Sequence, residues 1–292
     1  MATKASTRKA PAATNVLEFD QEAIRKTEMA VAKESDNEIL ERLSERFMIL
    51  NEMTKAVKEG NVRAMIVSGP PGVGKSFGVE AVLQKADLFN TLAEKKPKFE
   101  IVKGAMSSIG LYAKLYEFSD AGNVVVFDDC DDILMEEQSL NTLKGALDSS
   151  ERRFISWNTD SRILRSEGIP DRFEFKGAAI FITNIKFEHV KSKKLRGHLD
   201  ALESRCHYID LQMDTEREKI LRIKQITNEG MLDRYEFDHP EIAKDEILEF
   251  VDANKATLRE LSLRMVLKLA DLRKSFPASW KSMAKTTCIK RV

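Results

Sequence analysis

Residues 68–77 read SGPPGVGKSF and follow the apolar run AMIV. Gly69, Gly74, Lys75 and Ser76 satisfy the spacing G-x-x-x-x-G-K-[ST]. Glycines at those places let backbone N–H groups close around a phosphate with no side chain in the way, and a following helix aims its positive end at the same point. Lys75 is placed to meet the β- and γ-phosphates of a nucleotide, and Ser76 to ligate Mg²⁺. The whole stretch, Gly69, Pro70, Pro71, Gly72, Val73, Gly74, Lys75, Ser76 and Phe77, is the candidate nucleotide cradle.

A second acid-bearing stretch is VVVFDDCDD, residues 124–132. Four apolar residues suit a buried strand, and Asp128 emerges at its C-terminal end, where ligands sit in open α/β sheets. Asp128 is the candidate to hold Mg²⁺ through water. Asp129, one residue on, is the candidate to polarise an attacking water.

The elements that must carry these groups alternate. AMIVS, KFEIVK, NVVVFDD, AAIFITN and HYIDLQM read as strands, and helical patterns such as KSFGVEAVLQKA, GLYAKLYEFS and EQSLNTLKGALDS fall between several of them. Continuous apolar strands in βα units predict a five-stranded parallel sheet covered on both faces, an α/β fold of three αβα layers. Ahead of it, residues 20–60 read as helical, with Ile39, Leu43, Phe47 and Leu50 on one face and Gly60 as a stop. RRFISW and RFEFK within 152–177 predict a β-hairpin or similar excursion. After Met213 the strand signal stops, and EREKILRIKQIT, AKDEILEFV and LSLRMVLKLADL predict a small all-α domain over 214–292. The expected divisions are thus a flexible tail over 1–19, the nucleotide-binding domain over 20–213, and the helical domain.

Bulk properties set limits. The 292 residues carry 47 basic and 47 acidic side chains, so no global field steers the chain to nucleic acid or anionic lipid. Three cysteines are too few for a disulfide framework, which suits a reducing compartment. Cys206-His207 lacks a second ligand pair at zinc spacing. No apolar run approaches the roughly 20 residues a bilayer needs, so no membrane partner is expected. The basic residues Lys4, Arg8 and Lys9 imitate a transit peptide, but a disordered tail is the favoured account. A cytoplasmic location is expected, or the host-cell cytoplasm if the source is viral.

With these motifs in view, the chain resembles the AAA+ ATPase family over most of residues 40–275. The resemblance implies an ATP hydrolase needing ATP and Mg²⁺, with the helical domain serving as a lid. The family usually has Glu where this chain has Asp129, and one methylene less shortens reach by about 1.5 Å, which bears on the rate of hydrolysis. Thr183-Asn184 looks like sensor 1, with Asn184 placing water near the γ-phosphate. Ser204-Arg205-Cys206 looks like the arginine-finger segment and matches the SRC motif of clamp loaders. A finger supplied in trans implies a homo-oligomeric ring, six subunits being the family's usual number. Arg264 looks like sensor 2, with Arg259 as its competitor. The lean architecture is similar to that of AAA+ proteins carried by phages and bacteria.

The expected function is ATP-driven remodelling or movement of a macromolecule, with DNA favoured. A protein remodeller and a slow, nucleotide-controlled assembly switch are the alternatives. A small-molecule P-loop kinase is disfavoured, since a finger segment and a lid are not its layout. DNA contact is expected, if anywhere, through 152–176, where six basic residues and Trp157 stand among four acids with Glu151 just ahead, or through 186–198, where five basic residues face Glu188. In the first stretch a packing hairpin with a solvated face fits the residues equally well. The segment VKGAMSSIG after the second strand is the other candidate for a substrate loop.

Overall fold

Short runs of apolar residues bounded by turn formers become the strands of one sheet. The computed structural model describes residue 31 and residues 33–290; the tail expected over 1–19, and residues 20–30 and 32 of the helical stretch expected over 20–60, lie outside the described residues. The order is α1 (Asp36–Lys58), β1 (Ala64–Ser68), α2 (Lys75–Ala86), α3 (Leu88–Leu92), β2 (Phe99–Lys103), α4 (Ser108–Glu117), β3 (Val124–Asp128), α5 (Asp132–Met135) and α6 (Glu137–Ala146). Then come β4 (Phe154–Ser156), α7 (Arg162–Ser166), β5 (Arg172–Glu174), β6 (Ala178–Thr183), α8 (Lys193–Glu203) and β7 (His207–Asp210). Four α-helices follow among the described residues: α9 (Glu216–Ile226), α10 (Pro240–Asn254), α11 (Leu263–Ser275) and α12 (Trp280–Cys288).

The main sheet is five-stranded in the order β2-β3-β6-β1-β7, and every pairing is parallel. Alternate strand residues feed opposite faces, as the two-residue period requires. Ile66, Val125, Phe127, Ala179 and Phe181 pack with α4, α6 and α8, whereas Met65, Val67, Val126, Ile180 and Ile182 pack with α1 and α2. Strands buried on both faces explain why the sequence shows unbroken apolar runs there instead of alternation. The catalytic candidates Asp129 and Asn184 therefore stand at the ends of the fully buried strands β3 and β6.

α1 starts at a capping box: the Ser35 hydroxyl accepts from the Glu38 amide, and the Glu38 carboxylate accepts from the Ser35 amide. Its predicted face, Ile39, Leu43, Phe47 and Leu50, is buried. The excursion after α6 is an antiparallel pair, β4 with β5, in the register Phe154↔Glu174 and Ser156↔Arg172. The turn-rich sequence between its strands holds α7, capped by Ser161. The basic segment 186–198 is not all loop: from Lys193 it runs into the amphipathic helix α8. Ser192 caps it, and Leu199 and Leu202 are buried beneath its basic start. Helix α12 falls inside the all-α stretch expected over 214–292, although the sequence singles out no segment there.

The C-terminal helices enclose their own apolar cluster, including Ile223, Ile247, Phe250, Leu269 and Trp280. They rest on the sheet-bearing part at two places. On α1, Gln225 Nε2 donates to Ser44 Oγ at 2.8 Å, and the Arg222 guanidinium lies 3.7 Å from the centre of the Phe47 ring. At the other, the Leu263 amide donates to the Gly72 carbonyl at 2.8 Å. No described helix is long and apolar enough to cross a membrane.

Candidate active site

The loop after β1 turns back over the C-terminal ends of β1, β3 and β6. Gly74 opens α2 with φ +102 and offers no capping side chain, so the first amides of the helix stay available to an anion. Lys75 is buried beneath this loop. Its ammonium donates to the carbonyls of Gly69 (2.6 Å) and Pro70 (2.9 Å) and to Asn184 Oδ1 (2.8 Å). Those three acceptors match the three protons of an ammonium. Burial pushes the Lys75 pKa down to about 8, against the opposing pull of Asp129 and Asp128, and Arg264 adds to the depression.

Ser76 Oγ donates to Asp128 Oδ1 at 2.8 Å, bringing the two expected Mg²⁺ groups together. Lys103 Nζ lies 3.4 Å from the other carboxylate oxygen of Asp128. Among the described residues no cluster of three or more His, Cys, Asp or Glu side chains could hold a metal unaided. One hydroxyl and one carboxylate are nonetheless the hard oxygen donors Mg²⁺ takes when substrate phosphates and water complete its shell. The residues fit that ion.

Asp129 follows with φ +55, a left-handed conformation that Asp tolerates better than most residues. Its amide donates to the Ile182 carbonyl, and its Oδ1 accepts from Asn184 Nδ2 at 2.9 Å. Asn184 thus uses both ends of its amide, its oxygen on Lys75 and its nitrogen on Asp129, and fixes their spacing. Thr183 Oγ1 donates to Asp131 Oδ1 at 2.6 Å and accepts from the Ile185 amide, which holds the turn carrying Asn184.

These groups border a cavity of about 610 Å³. Its floor is Pro71, Gly72, Gly74, Lys75, Ser76 and Phe77, with Asp129, Asn184 and Lys103 on one side. The helical part supplies the roof: Ile226, Met231, Arg234, Leu263, Arg264 and Leu267. The structure therefore brings Arg264 into the cavity. Arg259 lies elsewhere, tied through Nε to the Thr287 carbonyl at 3.1 Å. Pro70 and Val73 shape the loop, and Val73 is buried in the core.

Arg205 is not brought to this cavity. It precedes β7, whose His207 lies level with Met65 at the start of β1. At ~3.3 Å per residue, Gly69 is four residues, or about 13 Å, farther along the strands than Met65, and Arg205 lies behind His207 on the other side, so the distance exceeds the span of an arginine side chain. Arg205 Nη1 donates to the Ala201 carbonyl at 2.6 Å, Nη2 lies 3.8 Å from Asp148 Oδ1, and Nε has no partner among the described residues.

Of the two basic segments, 186–198 is largely engaged within the molecule. Lys186 pairs with Asp214, Lys194 with Glu137, and Arg196 donates to the Glu188 carbonyl. On the hairpin, Trp157 is buried, but Phe154 is exposed, with Arg172 at 4.5 Å and Arg152 at 5.0 Å from its ring centre. Sequence reasoning missed Lys103, Arg234 and Phe154. Lys103 becomes visible only when parallel register sets it beside Asp128.

The model of the ATPase family associated with various cellular activities (AAA) matches residues 65–200. A protein of Enterobacteria phage T4, described as an uncharacterised 36.7 kDa protein of the nrdC–mobD intergenic region, is 33% identical over 255 residues, 86% of this chain and 76% of that protein. Domain III of the Thermotoga maritima replication initiation protein DnaA matches at TM-score 0.47 and 14% identity, over 85% of this chain and 92% of that one. A replication initiator DnaA bound to AMPPCP and single-stranded DNA matches at 0.45 and 10%, over 82% of this chain and 63% of that one. PCH-2 of C. elegans matches at 0.33 and 15%, over 84% and 63%.

Proposed function

Because the chain belongs to the AAA family of ATPases, we propose that it hydrolyses Mg²⁺-ATP at a site shared between two copies and uses the cycle to act on DNA. The observation that carries this reading is the division of the chemistry. Lys75, Ser76, Asp129, Asn184 and Arg264 converge on one cavity, with Asp128 beneath it hydrogen-bonded to Ser76, while Arg205 stands at the opposite edge of the sheet.

Each residue has a part that its position supports. The open amides at Gly74 and the Lys75 ammonium bind the β- and γ-phosphates. Ser76 and Asp128 hold Mg²⁺, whose role when bound is to neutralise phosphate charge. Asp129 accepts the proton of the attacking water, and Asn184 keeps its carboxylate in register with Lys75. Arg264 closes on the phosphates from the lid. Arg205 neutralises transition-state charge in the neighbouring copy, a contribution worth large rate factors in phosphoryl transfer. Repeating that contact around a closed set of copies gives a ring, and six is the number we favour.

DNA is favoured as the macromolecule because Phe154 is exposed between Arg152 and Arg172, the aromatic-plus-guanidinium chemistry that stacks on unpaired bases. Turnover is to be measured against protein concentration and added single-stranded DNA. The proposal requires a rate that rises more than linearly with protein until assembly saturates, and stimulation by DNA that fades with salt. A strictly linear rate would remove the shared site. Stimulation by a partner protein and not by DNA would leave the ATPase and remove the DNA.

A further inference from the structure

β2 and β3 run parallel in a register that sets Lys103 level with Asp128. Lys103 Nζ approaches Asp128 Oδ2 at 3.4 Å, while Ser76 Oγ holds Oδ1. Both oxygens of the carboxylate are therefore engaged by protein groups. The Lys103 side chain is 60% exposed and borders the cavity.

The residue after Lys103 is Gly104, at φ +95, with open space around it. Next come Ala105, Met106 and Ser107, which border a separate open groove of about 980 Å³ with Lys114, Tyr116 and Ile169. Met106 Cγ lies 3.5 Å from the point where a Cβ on Gly110 of α4 would stand. One residue thus touches the carboxylate of the metal site at its tip and leads, through a glycine pivot, into the wall of a groove outside the nucleotide cavity.

Resting on the reading of the cavity as a Mg²⁺-ATP site, we propose that Lys103 is a latch opened by the metal. It pairs with Asp128 when no metal-nucleotide is bound. A hydrated Mg²⁺ claiming the same carboxylate repels the ammonium, and the released side chain carries Gly104, and with it the groove loop 105–107, to a second position. Mg²⁺ and an ammonium drawn to one carboxylate repel each other, and that repulsion is what favours the exchange. Lys103 is a positioning residue here: it reports the metal and orients Asp128, but touches no reacting atom.

The test compares the full chain with Lys103→Met and Lys103→Arg, using a fluorescent, slowly hydrolysed ATP analogue and titrated Mg²⁺. An exposed ion pair of this kind is worth about 2- to 5-fold in an equilibrium. Lys103→Met therefore lowers the Mg²⁺ concentration for half-maximal analogue binding by that factor, and Lys103→Arg does not. Hydrogen exchange gives the second readout. In the wild type, Mg²⁺ added to the nucleotide complex changes exchange at residues 104–107, and in Lys103→Met that response is lost.

An unchanged or raised Mg²⁺ requirement in Lys103→Met overturns the latch, as does a wild-type exchange response in that variant. Weaker analogue binding in EDTA and Mg²⁺ alike would make Lys103 a plain phosphate ligand and also overturn it. A wild-type protein that binds no nucleotide at all sinks the reading of the site itself, a result distinguishable from the others.

Discussion

Substituting Gly72 by Ala tests how the lid is held on the phosphate loop. Gly72 has φ +72, and a Cβ there would lie 2.5 Å from Ser262 Cβ and 3.0 Å from Ser262 Oγ. Two costs arise. The left-handed conformation costs an alanine about 1–2 kcal/mol. The overlap must also lift the start of α11, which breaks the 2.8 Å hydrogen bond from the Leu263 amide to the Gly72 carbonyl and withdraws Arg264 from the cavity. A hydrogen bond to a charged group is worth about 1.5–3 kcal/mol, so nucleotide affinity falls about 10- to 100-fold.

Gly168→Ala is the control, because Gly168 has φ +68 and open space around it. It carries the backbone cost without the clash. Both variants should melt lower than the wild type, but only Gly72→Ala should lose nucleotide in a fluorescence titration. Adding Ser262→Gly removes the atoms that collide, at a capping cost of only a few tenths of a kcal/mol, and restores affinity. If Gly72→Ala binds nucleotide as Gly168→Ala does, the lid contact does not hold Arg264 in place. If Ser262→Gly fails to restore binding, the loss lies within the loop and the reasoning is wrong.

Three further outcomes follow from the same geometry. Lys75 titrates near pH 8 before nucleotide arrives, and phosphates hold it charged afterwards. Affinity should therefore be flat below pH 7.5 and fall about tenfold per unit above 8, a step absent in Lys75→Arg. Folding moves the opposite way: between about pH 8 and the ordinary lysine value of 10.5 the unfolded chain holds a proton the folded chain has released, so stability rises with pH in that window, as chemical denaturation will show. Asp129→Asn keeps an acceptor for Asn184 Nδ2 but loses the base; turnover should drop about 10²-fold or more with affinity little changed, and unimpaired hydrolysis would remove Asp129 from its role. Arg264→Ala should weaken nucleotide binding about tenfold or more, whereas Arg259→Ala should lower the melting temperature and leave binding alone; the reverse pattern would exchange their assignments.

The parallel sheet and its motifs were legible because buried strands write themselves as unbroken apolar runs. AMIVS, NVVVFDD and AAIFITN each fall on a strand, and the acids and amide at their ends meet at one edge. Helices with polar content were harder to see. α8 begins KKLRGH, so its charge hid the spacing of Leu195, Leu199 and Leu202. α12 buries Trp280, Ala284 and Cys288 at helical spacing, but two of the three are small and give little hydropathy signal. Arg259 and Arg264 stand five residues apart, and only the Ser262 cap fixes where α11 begins and which arginine faces the cavity. Lys103 was invisible because its meaning lies in a partner 25 residues away, which strand register supplies and linear spacing does not.

The shared site is tested most directly by mixing two inactive variants. Asp129→Asn leaves Arg205 to offer but cannot hydrolyse at its own cavity; Arg205→Ala keeps its own cavity but gives nothing to its neighbour. If the copies complete one another, an equal mixture under random assembly regains about a quarter of wild-type turnover, from every intact cavity that faces an intact arginine. A mixture no more active than its two components, with both shown to assemble and bind ATP, would contradict the account.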